Sequence, residues 1–248
     1  MTKLPIPEPL RGTDPNSFAQ YTVTVRLPNI IHHVLIENDF SEPIFQQLKT
    51  LMEEIPSTPI RYLNDTEAPD TSQWAEYIEP YLGLNWLQIP WFLAETYLYR
   101  RILEATGYFK PAEGYHVDPF AYQKQRGLDT TQDAIANLSL QLNTGVNQPD
   151  KSFDFFTSIL MISLWGNQAD LSLWPAGNHE QPKYADLHIS HSDILINDTS
   201  AIIDYLANQR GKSLRFDFIA DNAGYELVCD LALADFCLSG NLASTVVL

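Results

Sequence analysis

The chain has 248 residues, 45% hydrophobic and 12% aromatic, enough to bury one large core or two modest ones. Its 15 Lys plus Arg against 31 Asp plus Glu leave a formal net charge of -16, which argues against nucleic acid and against anionic membrane surfaces as partners. Such an acidic chain takes a small phosphorylated ligand only with local cations, most simply a metal ion.

Residues 1–20 are Pro-rich and predict an extended arm without the apolar core of a secretory signal. No run of about 18 apolar residues appears, so nothing is expected to span a membrane, and the expected location is cytoplasmic. Tyr21–Arg26, YTVTVR, alternates like a strand. Leu27-Pro28 opens a helix to Glu37. Ser41-Glu42-Pro43 reads as a helix start, a capping hydroxyl followed by an acid and a first-turn proline. That helix runs to Glu54 and is halted by Pro56. Residues 56–71 read as a loop and Trp74–Leu82 as a short helix. Pro90-Trp91 begins PWFLAETYLYRRILEAT, which Gly107 closes. Arg100 and Arg101 are read as helix-surface arginines paired with acids such as Glu104, rather than as a phosphate clamp. Trp86, Trp91, Tyr97 and Tyr99 are read as core. Residues 108–128 are mixed, with a turn at Asp118-Pro119, and helices are predicted at 130–143 and 151–165, the second ending in Trp165-Gly166.

After residue 166 the pattern changes. Ile194–Ile196 predicts a short buried strand, Asp198–Asn208 a helix, Leu214–Ala220 a strand, Gly224–Leu238 a helix and Ser244–Leu248 a further strand. Strand, helix and strand at this spacing form a βαβ unit with parallel strands. The fold class is therefore α/β: an extended arm at 1–20, a helical N-terminal domain at 21–165, and an incomplete α/β metal-binding domain at 166–248. The bare last strand predicts either that a longer protein has been cut here or that a partner covers the exposed edge. Cys229 and Cys237, on one helix, sit ~12 Å apart, too far for a disulfide, and are expected to be buried thiols.

The chemistry gathers where Leu214–Ala220 gives way to Asp221-Asn222 and Gly224. Strand C-termini are where ligands collect in α/β sheets, and a helix N-terminus favours an anion. Asp221, Asn222 and Glu226 offer the oxygens that hard divalent cations prefer, Glu226 one helical turn from Asn222. The competing explanation is a plain helix N-cap, for which Asp and Asn are favoured residues. In LWGNQADLS (164–172), Asn167 and Asp170 are explained as well by turn chemistry. His188 and His191, near Asp186 and Asp193, match no standard zinc spacing and read as a solvated loop. His32 and His33 point to different helix faces and read as structural. Glycine-rich nucleotide loops and the G-x-S-x-G elbow are absent.

RLPNII (26–31), PWFLAETYLYRRILEAT (90–106), DPFAYQK (118–124), LWGNQADLS (164–172), ILINDT (194–199) and DNAGYELVCDLALADF (221–236) occur in this order. Together they closely resemble the damage-control phosphatase family, in the branch also named for acidic-residue methyltransferases. The resemblance runs from about Arg26 to Leu248. It implies a helical N-terminal domain followed by a Rossmann-like parallel-sheet domain. It also implies divalent-metal-dependent hydrolysis of small phosphometabolites such as fructose phosphates. Asp221 and Asn222 match the family's metal-binding and catalytic pair, with Mn2+ or Mg2+ as the expected ion. Glu226, Asn167 and Asp170 fall on the substrate side, and the expected partner is a small phosphorylated metabolite. The family's further metal-binding aspartate, a GDxNYR-like segment and a basic RTxK motif would follow Leu248. Two ligands from one turn are expected to hold the ion weakly, leaving water in the other positions, and to impair catalysis. The alternatives are a non-catalytic metal-binding or interaction remnant and a protein-glutamate carboxyl methyltransferase.

Overall fold

The computed structural model describes residues 5–147, 152–166, 194–209 and 211–248. They form a mixed, mostly helical α/β fold with a small parallel sheet. The chain divides into two compact units, residues 1–122 and 123–248.

In the first unit α1 (Phe18–Tyr21) is capped by Ser17, whose Oγ accepts from the Gln20 N–H at 3.1 Å. It runs through a π-helical turn, Thr22–Arg26, into α2 (Leu27–Glu37). YTVTVR is thus helical, not extended as its alternation suggested. Thr22, Val23, Leu27, Ile30, Ile31 and Val34 are buried, and this three-to-four spacing across a longer window outweighs six alternating residues. α3 (Glu42–Glu54) begins as predicted, with Pro43 in its first turn. Ser41 makes no cap bond with its own hydroxyl; instead its N–H donates to the Glu113 carboxylate at 2.9 Å. α4 (Thr71–Ile78) is prolonged by a 3₁₀ turn at Glu79–Tyr81, and α5 (Trp91–Thr106) closes on Gly107, left-handed at φ 72°. Leu27, Ile31, Leu48, Trp86, Tyr97 and Ile102 form the solvent-free centre of this core, with Trp86 stacked on Tyr97.

Arg100 and Arg101 pair with acids as predicted, but not on the surface: they are 3% and 2% exposed. Arg100 reaches Asp70 at 2.8 Å and Asp65 at 3.2 Å. Arg101 reaches Glu54 at 2.8 Å and Glu104 at 2.9 Å, and Glu104 also holds Arg61 at 2.9 Å. The loop after Pro56 carries Arg61, Asp65 and Asp70. It folds over α5 and buries charges that a helix read alone assigns to solvent. Charges this deep are tolerated only because each is paired.

The second unit holds α6 (Ala121–Thr130, begun at the unit boundary), α7 (Gln132–Val146), α8 (Ser152–Trp165), α9 (Thr199–Asn208), β1 (Arg215–Asp217), α10 (Tyr225–Ser239) and β2 (Thr245–Val247). α6 occupies part of the stretch read as mixed. β1 and β2 pair in parallel, Phe216 opposite Val246, and the Phe218 N–H extends the ladder to the Val247 carbonyl at 2.9 Å. The βαβ unit is therefore present, with a first strand shorter than the apolar run suggested because Ile219 and Ala220 lie exposed. Ile194–Ile196 forms no strand; Leu195 and Ile196 face solvent, so apolar identity alone was a poor guide to burial there. α10 packs on α7 and α8 around Leu138, Ile159, Cys229, Phe236 and Cys237. Both cysteines are free thiols and buried. Among the described residues no helix is long and apolar enough to cross a membrane.

Candidate metal and phosphate site at the start of α10

β1 ends at Asp217, and residues 218–224 carry the chain to the first turn of α10. The turn is made possible by Gly224, the residue immediately before the helix, at φ 85° and ψ -142°. That backbone region is all but closed to residues with a Cβ. Because Gly224 holds the N-cap position and no side chain caps the helix, Asp221 and Asn222 are not cap residues. The simpler explanation of the Asp-Asn pair is therefore not the one the structure adopts.

Asn222 instead reaches forward one helical turn, its Nδ2 donating to Glu226 Oε2 at 2.8 Å. The two side chains are half-buried and Asp221 is exposed. Glu226 lies in the first turn of α10, where the helix dipole favours an acid. One short stretch thus gathers two carboxylates and a carboxamide at a helix N-terminus. As hard oxygen donors they fit Mn2+ or Mg2+ in kind. In number they are a partial set: no group of three or more His, Cys, Asp or Glu among the described residues is arranged to hold a metal ion.

The start of α10 is pinned by α8. Ser163 Oγ lies 2.6 Å from Asp230 Oδ1. Gly166 sits so close that a Cβ there would come within 3.0 Å of the Glu226 Cα and 3.6 Å of the Cys229 Sγ. The LWGN segment and the DNAGYE segment, 60 positions apart at Gly166 and Glu226, therefore meet through backbone. Asn167 and Asp170 themselves lie outside the described residues, as do Asp186, His188, His191 and Asp193. The Ser163–Asp230 tie and the close approach at Gly166 escaped the sequence reading; the only trace was a glycine where a helix ended. Burial pushes the Cys229 thiol up to about 12, an effect the Asp230 and Glu226 charges reinforce and a Tyr225 hydrogen bond opposes. Burial therefore favours the protonated form of the thiol beside the site.

Comparison with known proteins matches residues 22–248 to the damage-control phosphatase ARMT1-like domain. A damage-control phosphatase ARMT1 of Danio rerio is 32% identical over 279 residues, spanning 97% of this chain and 61% of the relative. The Homo sapiens protein of that name is 30% identical, with 97% and 62% covered. That of Rattus norvegicus is 32% identical, with 96% and 61% covered. The chain thus spans about three-fifths of the length of these relatives. A family match over residues 22–248, with relatives 30–32% identical across nearly the whole chain, shows that the chain belongs to the ARMT1-like damage-control phosphatase family.

Proposed function

We propose that this chain is the helical domain and part of a Rossmann-like domain of a divalent-metal-dependent phosphatase acting on small phosphometabolites such as fructose phosphates. The carrying observation is the Asn222–Glu226 contact at the N-terminus of α10, next in sequence to an exposed Asp221, with Gly224 and not Asp221 or Asn222 at the cap position. Parallel pairing of β1 and β2 around α10 supports the Rossmann-like part.

In this reading Asp221 holds Mn2+ or Mg2+ through its carboxylate and Asn222 through its amide oxygen. When bound, the ion supplies positive charge to the phosphoryl oxygens and a more acidic water. The first-turn N–H groups of α10 receive a phosphate oxygen. Asn167, Asp170 and Glu226 face the rest of the substrate. The net charge of -16 means the phosphate is drawn in by these local donors and not by the overall field. A cytoplasmic setting and association through the β2 edge complete the proposal.

The test is release of inorganic phosphate from fructose 1-phosphate with Mn2+, comparing the chain with D221A. Loss in the variant and on chelation by EDTA is expected. Turnover unchanged in D221A, or indifferent to EDTA, refutes the assignment. Mn2+ binding without turnover by the unaltered chain reduces it to a metal-binding module.

A further inference from the structure

α1, the π-helical turn and α2 form one continuous helix that is apolar on two sides. Val23, Leu27, Ile30, Ile31 and Val34 face the core. Opposite them Phe18, Tyr21, Val25, Asn29, His32 and Ile36 recur at three- and four-residue spacing, and all six are exposed. A helix apolar on both sides is ordinarily covered on both. None of the six is Lys, Arg, Asp or Glu. Residues 17–38 hold just Arg26 and Glu37 in a chain that is 19% charged. Neither faces outward: Arg26 pairs with Glu95 at 2.8 Å, and Glu37 lies 3.5 Å from His33.

The stripe widens at its aromatic end. The Trp91 N–H donates to the Leu10 carbonyl at 2.8 Å, and the Trp91 ring meets that of Phe18 at 5.6 Å, so exposed Leu10 and Phe92 join the same end. Phe18, Tyr21 and Phe92 are 57%, 57% and 68% exposed. At about 200 Å² for a whole aromatic side chain they show about 350 Å² between them, and Leu10, Val25 and Ile36 bring the face to about 600 Å². That is the upper end of what a monomer leaves open. Two such faces joined bury about 1,200 Å², enough for a specific dimer.

We propose that this face pairs antiparallel with the same face of a second copy, about a two-fold axis between Val25 and Asn29. The aromatic end of each copy then lies over the slimmer His32–Ile36 end of the other, as a self-complementary contact requires. A basic partner would be met by carboxylates and an acidic one by lysines or arginines, and the stripe offers neither. At a net charge of -16 an uncharged face is also where two copies approach with least repulsion.

The test is analytical ultracentrifugation of the 248-residue chain from about 1 to about 200 μM. A monomer–dimer equilibrium in the micromolar range is expected, tightened as NaCl rises from about 0.05 to about 0.5 M, because salt screens two acidic bodies. Y21D and I36K, each counted twice in the dimer, should each weaken it by about 30-fold or more. L140D, at an exposed leucine of α7, should change it by less than about 2-fold, and the circular dichroism of all three should match the parent. Mixing Y21D with I36K should restore association, since antiparallel pairing sets the Asp of one copy beside the Lys of the other and leaves a native contact at the far end. A monomer throughout the range overturns the proposal, as does association that salt weakens. A dimer lost in V247D and kept in Y21D belongs to the β2 edge and also overturns it. No restoration on mixing overturns the antiparallel pairing. A monomer that binds phosphatidylcholine vesicles, and as Y21D does not, overturns the second copy in favour of a lipid surface.

Discussion

Two ion pairs of similar length test whether burial or distance governs their worth. Glu104 lies against solvent-free core, its Oε2 taking Arg61 Nη2 at 2.9 Å and Arg101 Nε at 2.9 Å, its Oε1 taking Arg61 Nη1 at 3.3 Å and the backbone N–H of Asn64. In Glu104→Gln the amide must turn its NH2 toward one of these donor pairs, so whichever way it faces, two donors lose an acceptor. At about 1.5–3 kcal/mol for each charge-assisted bond, and about 3–5 kcal/mol for breaking a buried pair, the expected loss is about 3–4 kcal/mol. Asp217→Asn disturbs the shorter Arg215–Asp217 pair, 2.6 Å, but both partners are more than half exposed, and about 0–1 kcal/mol is expected. Urea unfolding followed by tryptophan fluorescence measures the first change, since Trp74, Trp86 and Trp91 share the unit of Glu104. With a slope of about 2 kcal/mol per molar the midpoint should fall by about 1.5–2 M. pH gives a second reading of the same group. Burial raises the Glu104 carboxyl, but hydrogen bonds from Arg61 and Asn64 and the charge of Arg101 outweigh it and hold the carboxyl below its ordinary range. A depressed carboxyl stabilises the fold fully above its unfolded value and loses that effect as pH falls through the folded value. The gap between the parent chain and Glu104→Gln should therefore be complete at pH 7 and close below about pH 4.3. A loss under about 1 kcal/mol, or one no larger than that of Asp217→Asn, would refute the reasoning.

Gly224→Ala forces a Cβ into φ 85°, ψ -142°, and should cost about 1–3 kcal/mol and weaken Mn2+ binding together, read by urea midpoint and calorimetry. Gly166→Ala places a methyl 3.0 Å from the Glu226 Cα, and should displace the start of α10 at a cost of about 1–3 kcal/mol; an unchanged unfolding midpoint would show that the contact is loose. Cys229 and Cys237, both raised to about 12 by burial, should resist iodoacetamide at pH 8 for hours in the folded chain and react fully in urea, as mass spectrometry of the two sites would show.

Much of the fold was legible because its signals are local. Pro43 and Pro90 mark helix starts, Gly107 a helix end, and the apolar run at Leu214 with the helix after Gly224 a βαβ unit; each rests on chemistry within a few residues. What failed depended on distant chain. The helical state of Thr22–Arg26 is decided by a core to which Leu48 and Ile102 also contribute. Arg100 and Arg101 look solvated until Asp65 and Asp70 arrive from the loop after Pro56. Ile194–Ile196 has strand composition but nothing among the described residues to pair with, and lies open.

The site sits between these cases. Asp221, Asn222 and Glu226 are readable from sequence because one helical turn brings the last two into contact, whatever the rest of the chain does. Their orientation is not local. The helix that carries Glu226 is fixed by Ser163 on α8, which binds Asp230, and by the absence of a side chain at Gly166, which lets the Glu226 backbone come close; neither contact is with the side chains of the three oxygen-bearing residues. A glycine 60 positions upstream thus belongs to the site as much as the acid it abuts: a methyl there would push on the Glu226 backbone, and Glu226 accepts a hydrogen bond from the Asn222 amide. The LWGN and DNAGYE segments therefore make one mechanical unit. A change at Gly166 should alter how the DNAGYE segment presents its oxygens before it alters whether the second unit folds.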